Sequence, residues 1–159
     1  DGQGRAALLI VDEAHLIPGK PTFEEIRLLT NFQLDDRNLV AIVLVGQPEL
    51  RERLRHRAYR ALTQRIGVSF DLVPLAVEDT RDYLAHRLAV AGRERTLFTD
   101  EAVARLHAAA GGIPRVLNQL ATQALVEGMA RGVERVDGAV AAAVASERDW
   151  DAVPAGTRG

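Results

Sequence analysis

The stretch ALLIVDEAHL, Ala7 to Leu16, runs five apolar residues straight into two adjacent carboxylates, Asp12 and Glu13, followed by a small residue and a histidine. A short unbroken apolar run with β-branched members, stopped by charge, has the form of a strand buried on both faces of a parallel sheet. In open α/β sheets the binding crevice lies at the carboxyl ends of the strands. Two acids at such a tip either face that crevice or merely cap the strand and open a loop.

Outward from this strand the pattern repeats. After the loop HLIPGKP, Thr22 and Glu25 have the spacing of a capping box and predict a helix that carries Ile26 and Leu29 inward and ends near Gln33. DDRN, residues 35–38, reads as a turn. Leu39 to Val45, LVAIVLV, is a second buried strand, ended by Gly46 and Pro48. Strand, helix, strand makes a crossover unit with a parallel sheet. In ELRERLRHRAYRALTQRI, residues 49–66, apolar Leu50, Leu54, Ala58, Leu62 and Ile66 recur at helical spacing, as one helix or two. VSFDLVP, 68–74, reads as a short strand near a sheet edge.

Beyond Pro74 every periodic segment is helical. Helices are expected over 78–91, 100–110, 114–129 and 137–146, with Pro114 suited to a first turn and Asp137 to an N-cap. The expected organisation is a partial parallel-sheet core over residues 1–75, an all-helical unit over 76–148 and a disordered tail over 149–159.

Composition narrows the function classes. Hydrophobic residues make up 47% of the 159, enough for a packed core, and 20 basic against 22 acidic residues leave a formal charge of −2 with no global basic field. The absence of cysteine removes disulfides and thiolate chemistry and fits a reducing compartment. No apolar run approaches the roughly 18 residues that span a bilayer, and DGQGR does not resemble a signal peptide. A cytoplasmic location follows, peripheral to the inner membrane if the chain joins a larger complex. His56, His86 and His107 are scattered without metal-ligand spacing, and neither Ser69 nor Ser146 sits in a nucleophile elbow.

The chemistry-bearing residues fall in a definite order. Adjacent acids at a strand tip are what phosphoryl-transfer NTPases use, the first to hold Mg²⁺ and the second to polarise the attacking water. The second strand ends LVGQPEL, placing Gln47 beside the acids if the strands are neighbours; it is otherwise a turn residue before Pro48. Arg65 precedes the segment 68–74, and GGIPR puts Arg115 on a first helical turn. Arg51, Arg53, Arg55, Arg57 and Arg60 form a basic stretch that is either a solvated face, interleaved with Glu49 and Glu52, or a contact for nucleic acid or another subunit.

Taken together, LLIVDEAH, IVLVGQPELRERL, LTQRIGVSFDLVPL and FTDEAVARLHAAAGGIPRVLNQLATQAL resemble, in order, the Walker B, sensor 1, arginine-finger and sensor 2 segments of AAA+ ATPases. The resemblance is to the ExeA/GspA kind of general secretion and the TnsC/TniB kind of transposition, and covers about residues 6–146. It implies ATP and Mg²⁺ as cofactors. Asp12 would coordinate the metal, Glu13 activate water, Gln47 act as sensor 1 and Arg115 touch the nucleotide as sensor 2. Arg65 would be the finger reaching a neighbouring subunit's nucleotide, with Arg60 as the competing candidate. It implies a homo-oligomer through the arginine-finger face, and DNA or secretion or transposition proteins as partners.

One element of the pattern is missing. No G-x-x-x-x-G-K-[ST] loop occurs in the chain, and PGKPT, Pro18 to Thr22, lacks the upstream glycine and has Pro21 where the motif needs Ser or Thr. The expectation is therefore a C-terminal piece of a longer ATPase that does not itself bind ATP tightly. The alternative is a non-catalytic oligomerisation and partner-binding module. The name DEAH also labels helicases, but the chain has no room for their second domain.

Overall fold

The structure, a computed structural model, describes residues 7–30, 33–34, 37–38, 40–93 and 95–148. The chain divides into two compact units, the first ending at Asp71 and the second beginning at Leu72. The expected boundary at 75/76 falls a few residues later. The expected tail, 149–159, lies outside the described residues.

The first unit is built on two parallel strands, β1 (Ala7–Val11) and β4 (Val40–Leu44), in the register Ala7↔Val40 to Val11↔Leu44. Between them run α1 (Gly19–Leu29) and a small antiparallel pair, β2 (Gln33–Leu34) with β3 (Arg37–Asn38). The crossover is as read, but its details differ. The helix starts at Gly19 rather than after a Thr22 cap, and the Thr22 hydroxyl instead donates back to the Pro18 carbonyl at 3.4 Å. It ends at Leu29, so Gln33 pairs in a strand, and part of the expected turn at 35–38 is strand as well.

The expectation that β1 is buried on both faces is not met: Leu8 and Ile10 are 62% and 59% exposed. Two strands alone cannot cover both sides of an apolar ribbon. The core lies on one side, where Phe23 and Ile26 of α1 pack with Ala14, Leu50 and Leu62 and meet Ile42 and Leu44 of β4. Residues 49–66 form neither one helix nor two but a series: α2 (Pro48–Arg55), a 3-10 turn (Arg57–Tyr59) and α3 (Arg60–Thr63). The break is at His56, whose extended backbone ends α2 and whose Nδ1 accepts from the Ala58 N–H at 3.2 Å. Segment 68–74 is not a strand. Val68 and Phe70 are 86% and 83% exposed, and the stretch has no ladder partner among the described residues.

The second unit packs α4 (Val77–Val90), α5 (Asp100–Ala110), α6 (Pro114–Ala130) and α7 (Gly138–Arg148) around Leu84, Leu106, Leu117, Leu120, Ala124 and Val140. Caps set the boundaries: Thr99 Oγ1 accepts from the Ala102 N–H, Asp137 Oδ1 accepts from the Val140 N–H, and Gly111 closes α5 in the left-handed region. A parallel bridge, Phe98↔Val136, aligns the entries of α5 and α7, and Glu101 lies where a Cβ on Gly138 would stand. Thr80, fully buried on α4, donates to the Ala76 carbonyl, so the His107 Nδ1 on α5 is the donor in their 2.8 Å bond.

Gly112 is where backbone approaches backbone most closely in this unit. Its φ is +70°, it accepts the Leu75 N–H at 2.9 Å, and a Cβ there would lie 2.3 Å from the Leu75 carbonyl oxygen. Its neighbour Gly111 also has positive φ, at +60°, but faces open space. Gly111→Ala is expected to cost about 1–2 kcal/mol, the left-handed penalty alone, and Gly112→Ala about 2–5 kcal/mol, because overpacking adds to it. Urea unfolding of the two variants measures the difference; equal losses would contradict the close approach of Leu75.

Candidate functional site

The hydrogen bonding of β1 and β4 continues past both strands. The Val45 N–H donates to the Val11 carbonyl at 2.9 Å, and the Ala14 N–H donates to the Val45 carbonyl at 2.8 Å. Ala14 is fully buried, so the chain must turn from the strand into the core within two residues. It does so by placing Glu13 in the left-handed region, at φ 52° and ψ 33°, the only non-glycine residue with positive φ among the described residues. That conformation costs about 1–2 kcal/mol for a residue with a Cβ. The Asp12 carboxylate offsets part of it, its Oδ1 accepting the Glu13 N–H at 2.8 Å.

The result is an exposed pair of acids on a fixed backbone at the carboxyl end of the parallel sheet. Gln47 stands on the neighbouring tip, as the adjacency of the strands requires. It precedes α2 as its N-cap residue, yet its side chain makes no capping bond and the amide is left to other partners. Asp12 Oδ2 accepts no hydrogen bond among the described residues, which suits a metal such as Mg²⁺ that takes one or two carboxylates and completes its shell with water and phosphate. Among the described residues no cluster of three acidic or histidine side chains forms a ready-made cage.

Two residues outside the predicted set organise this tip. His15 reaches Glu13 Oε2 with Nε2 at 3.4 Å and accepts the Gln47 N–H on Nδ1 at 3.3 Å. Arg53, from the middle of α2, donates from Nη1 to the carbonyls of Ile17, at 2.5 Å, and His15, at 3.3 Å, and from Nε to the Tyr59 hydroxyl. Its guanidinium also lies over Phe23 and Tyr59, 5.0 and 5.7 Å from the ring centroids, and those two rings meet edge to face. Sequence reasoning placed Arg53 in a basic stretch and treated His15 as a label. Nothing in a one-dimensional pattern announces an arginine whose ligands are backbone carbonyls.

The remaining candidates are exposed arginines. Arg65 is exposed just beyond α3 and donates from Nη1 to Thr30 Oγ1 at 2.9 Å. Arg60, exposed at the start of α3, makes no ion pair among the described residues. Arg115 is exposed on the first turn of α6, in the second unit. Within the basic stretch Arg51 pairs with Asp71, Arg55 with Glu52 at 3.0 Å, and Arg53 serves the loop, so only Arg57 and Arg60 have no ion pair or carbonyl partner among the described residues.

Comparison with known proteins agrees with this architecture. A family model described as an AAA domain matches residues 1–54. General secretion pathway protein A of Aeromonas hydrophila is 42% identical over 134 residues, which cover 84% of this chain and 24% of that protein. Thermotoga maritima RuvB, described as a Holliday junction branch migration motor, superposes with a TM-score of 0.66 at 16% identity over 88% of this chain and 44% of its own. A variant of the same protein gives 0.69 at 17% over 89% and 45%. The chain thus has the AAA+ P-loop ATPase fold and is a homologue of the secretion protein over most of its length, while spanning about a quarter of it. No helix among the described residues is long and apolar enough to cross a membrane.

Arg53 supplies a direct test of the tip's construction. Arg53→Ala is expected to lower stability by about 1–3 kcal/mol, and Arg53→Lys to recover little of it, since one ammonium cannot serve two carbonyls and a hydroxyl while stacking on two rings. Chemical denaturation reads both; full recovery by lysine would show that charge alone matters there.

Proposed function

We propose that this chain is the Walker B, sensor and lid portion of an AAA+ ATPase that hydrolyses ATP with Mg²⁺ to assemble or remodel a protein complex of secretion. The observation that carries the reading is the strand tip: adjacent carboxylates, the second on strained left-handed backbone, beside Gln47, whose side chain makes no capping bond. Backbone strain of this kind persists where the surroundings over-determine it, and it clusters at active sites.

The roles follow from chemistry and position. Asp12 would hold Mg²⁺, its Oδ2 accepting no hydrogen bond among the described residues. Glu13 orients and polarises the attacking water, and Gln47 contacts the γ-phosphate or the water from the neighbouring strand. When bound, the metal and nucleotide supply the phosphoryl group and the neutralisation of its charge. Arg115 acts as sensor 2 on the helical unit. Arg65 acts as the finger toward a neighbouring subunit, with Arg60 as the competitor, and among the described residues its guanidinium bonds only Thr30, which leaves most of its donors for that task. Oligomerisation then becomes a condition of turnover. The relative favours secretion over transposition as the process served, with the protein peripheral to the inner membrane and the face bearing Arg57 and Arg60 open to a partner protein or DNA.

A second reading rests on one feature, the absence of a phosphate loop from this chain. By itself the chain would then serve as an assembly and partner-binding module. Isothermal titration of the chain with ATP is expected to give no low-micromolar affinity; finding it would overturn the view that the phosphate cradle lies elsewhere.

In the full-length protein, Glu13→Gln is expected to lower ATP turnover by about 10²–10⁴-fold while nucleotide binding persists. Arg65→Ala is expected to remove the assembly-stimulated turnover, about 10³-fold or more if it is the finger. Steady-state ATPase assays with nucleotide-binding controls measure both. Turnover unchanged by Glu13→Gln would reject the hydrolytic reading.

A further inference from the structure

We infer that His15 is a positioning residue that couples the tip of β4, at Gln47, to the carboxylate of Glu13. The inference rests on the hydrolytic role proposed for Glu13 and adds how that role is regulated.

The imidazole spans the two tips. Its Nδ1 accepts the Gln47 backbone N–H at 3.3 Å, so Nδ1 carries no proton and the neutral ring holds its hydrogen on Nε2. That nitrogen faces Glu13 Oε2 at 3.4 Å, a polar contact without the alignment of a hydrogen bond. One flat, rigid group therefore has one end on the backbone of β4's exit and the other on the acid of β1's exit.

Three features keep the ring from moving independently of its surroundings. Its side chain is only 11% exposed, against 61% for Glu13. Its carbonyl is held by Arg53 Nη1. Gly46 gives it room by having no side chain: a Cβ there would lie 3.1 Å from the His15 nitrogen, 3.3 Å from Nδ1 and 3.1 Å from Leu50 Cδ2. A displacement of Gln47 is thus transmitted through the ring to Glu13.

The two ends differ in strength. The Glu13 contact is long, mostly in solvent and not an aligned hydrogen bond, so it biases the carboxylate and does not lock it. In this orientation Glu13 is turned toward its own chain. A shift of the β4 tip when Gln47 engages its ligand carries Nε2 away and leaves the carboxylate to the water. The ring conveys the ligand state of one strand to the general base on the next.

The test separates the two ends of the ring. His15→Asn keeps an acceptor for the Gln47 N–H but cannot reach Glu13. In the full-length protein this variant is expected to leave KM for ATP within about twofold of wild type. It is expected to lower the ratio of assembly-stimulated to basal kcat by about fivefold or more, the usual size of a coupling between sites. Gly46→Ala, which crowds the ring without removing it, is expected to lower the same ratio. An unaltered ratio in both variants, with normal wild-type turnover, would overturn the role of His15 alone, whereas a wild-type protein with no turnover would overturn the hydrolytic reading itself. On this chain, imidazole ¹⁵N spectra are expected to show the Nε2–H tautomer, with a Nε2 signal that moves in Glu13→Gln; the Nδ1–H tautomer would refute the geometry whatever the kinetics give.

Discussion

Everything at the candidate site depends on the backbone pairing that carries β1 and β4 beyond their last strand residues. Val45 bonds to Val11 and Ala14 bonds back to Val45, so the two chain exits are stitched together before they diverge. That stitching buries Ala14 and leaves Asp12 and Glu13 as the residues between strand and core. It forces the left-handed step at Glu13 and sets Gln47 alongside. The adjacency of acid and amide is a consequence of parallel register, because parallel strands bring equivalent ends to the same edge of the sheet. Arg53 and the Phe23–Tyr59 pair secure the loop that follows, so the tip is braced from the sheet side and from the helix side.

How much of this was legible in the sequence depended on whether the cause was periodic. The runs Ala7–Val11 and Leu39–Val45 announced parallel strands because continuous apolar residues have few other uses, and the acids at 12 and 13 marked the tip. The helical unit was legible almost residue by residue, since Leu84, Leu88, Leu106, Leu117 and Ala124 follow the helical period and are buried. Thr99, Asp137 and Gly111 behave as their types predict at helix ends. Failures occurred where a local signal lost to a tertiary one. The Thr22–Glu25 box was overridden by a helix beginning at Gly19, and the continuous helical pattern of 49–66 broke where His56 capped the next turn. Segment 68–74 has strand composition but no ladder partner among the described residues, and a strand without a partner is not a strand.

The site itself was legible in its acids and not in its bracing. Glu13 is strained because Ala14 must be buried at once, a fact no spacing rule contains. Arg53 sits among four other arginines and is told from them only by two carbonyls contributed from more than 30 residues away in sequence. His15 looked like the last letter of a motif, and the room for its ring depends on a glycine, Gly46, beyond the end of β4. These contacts are long-range and involve backbone groups, which carry no sequence identity of their own. The relatives add a fold: AAA+ architecture shared with a Holliday junction branch migration motor at low identity, beside 42% identity to a secretion protein of which this chain spans about a quarter.

The central claim is that the metal of a bound nucleotide sits at the tip of β1, on Asp12. Fe²⁺ can replace Mg²⁺ in the ATP-loaded full-length protein, and ascorbate with peroxide then cleaves the backbone near the metal. The account predicts ATP-dependent cleavage at Asp12 and Glu13 and at Gln47, lost in Asp12→Asn. Cleavage confined to other segments, or unchanged when ATP is omitted, would contradict it.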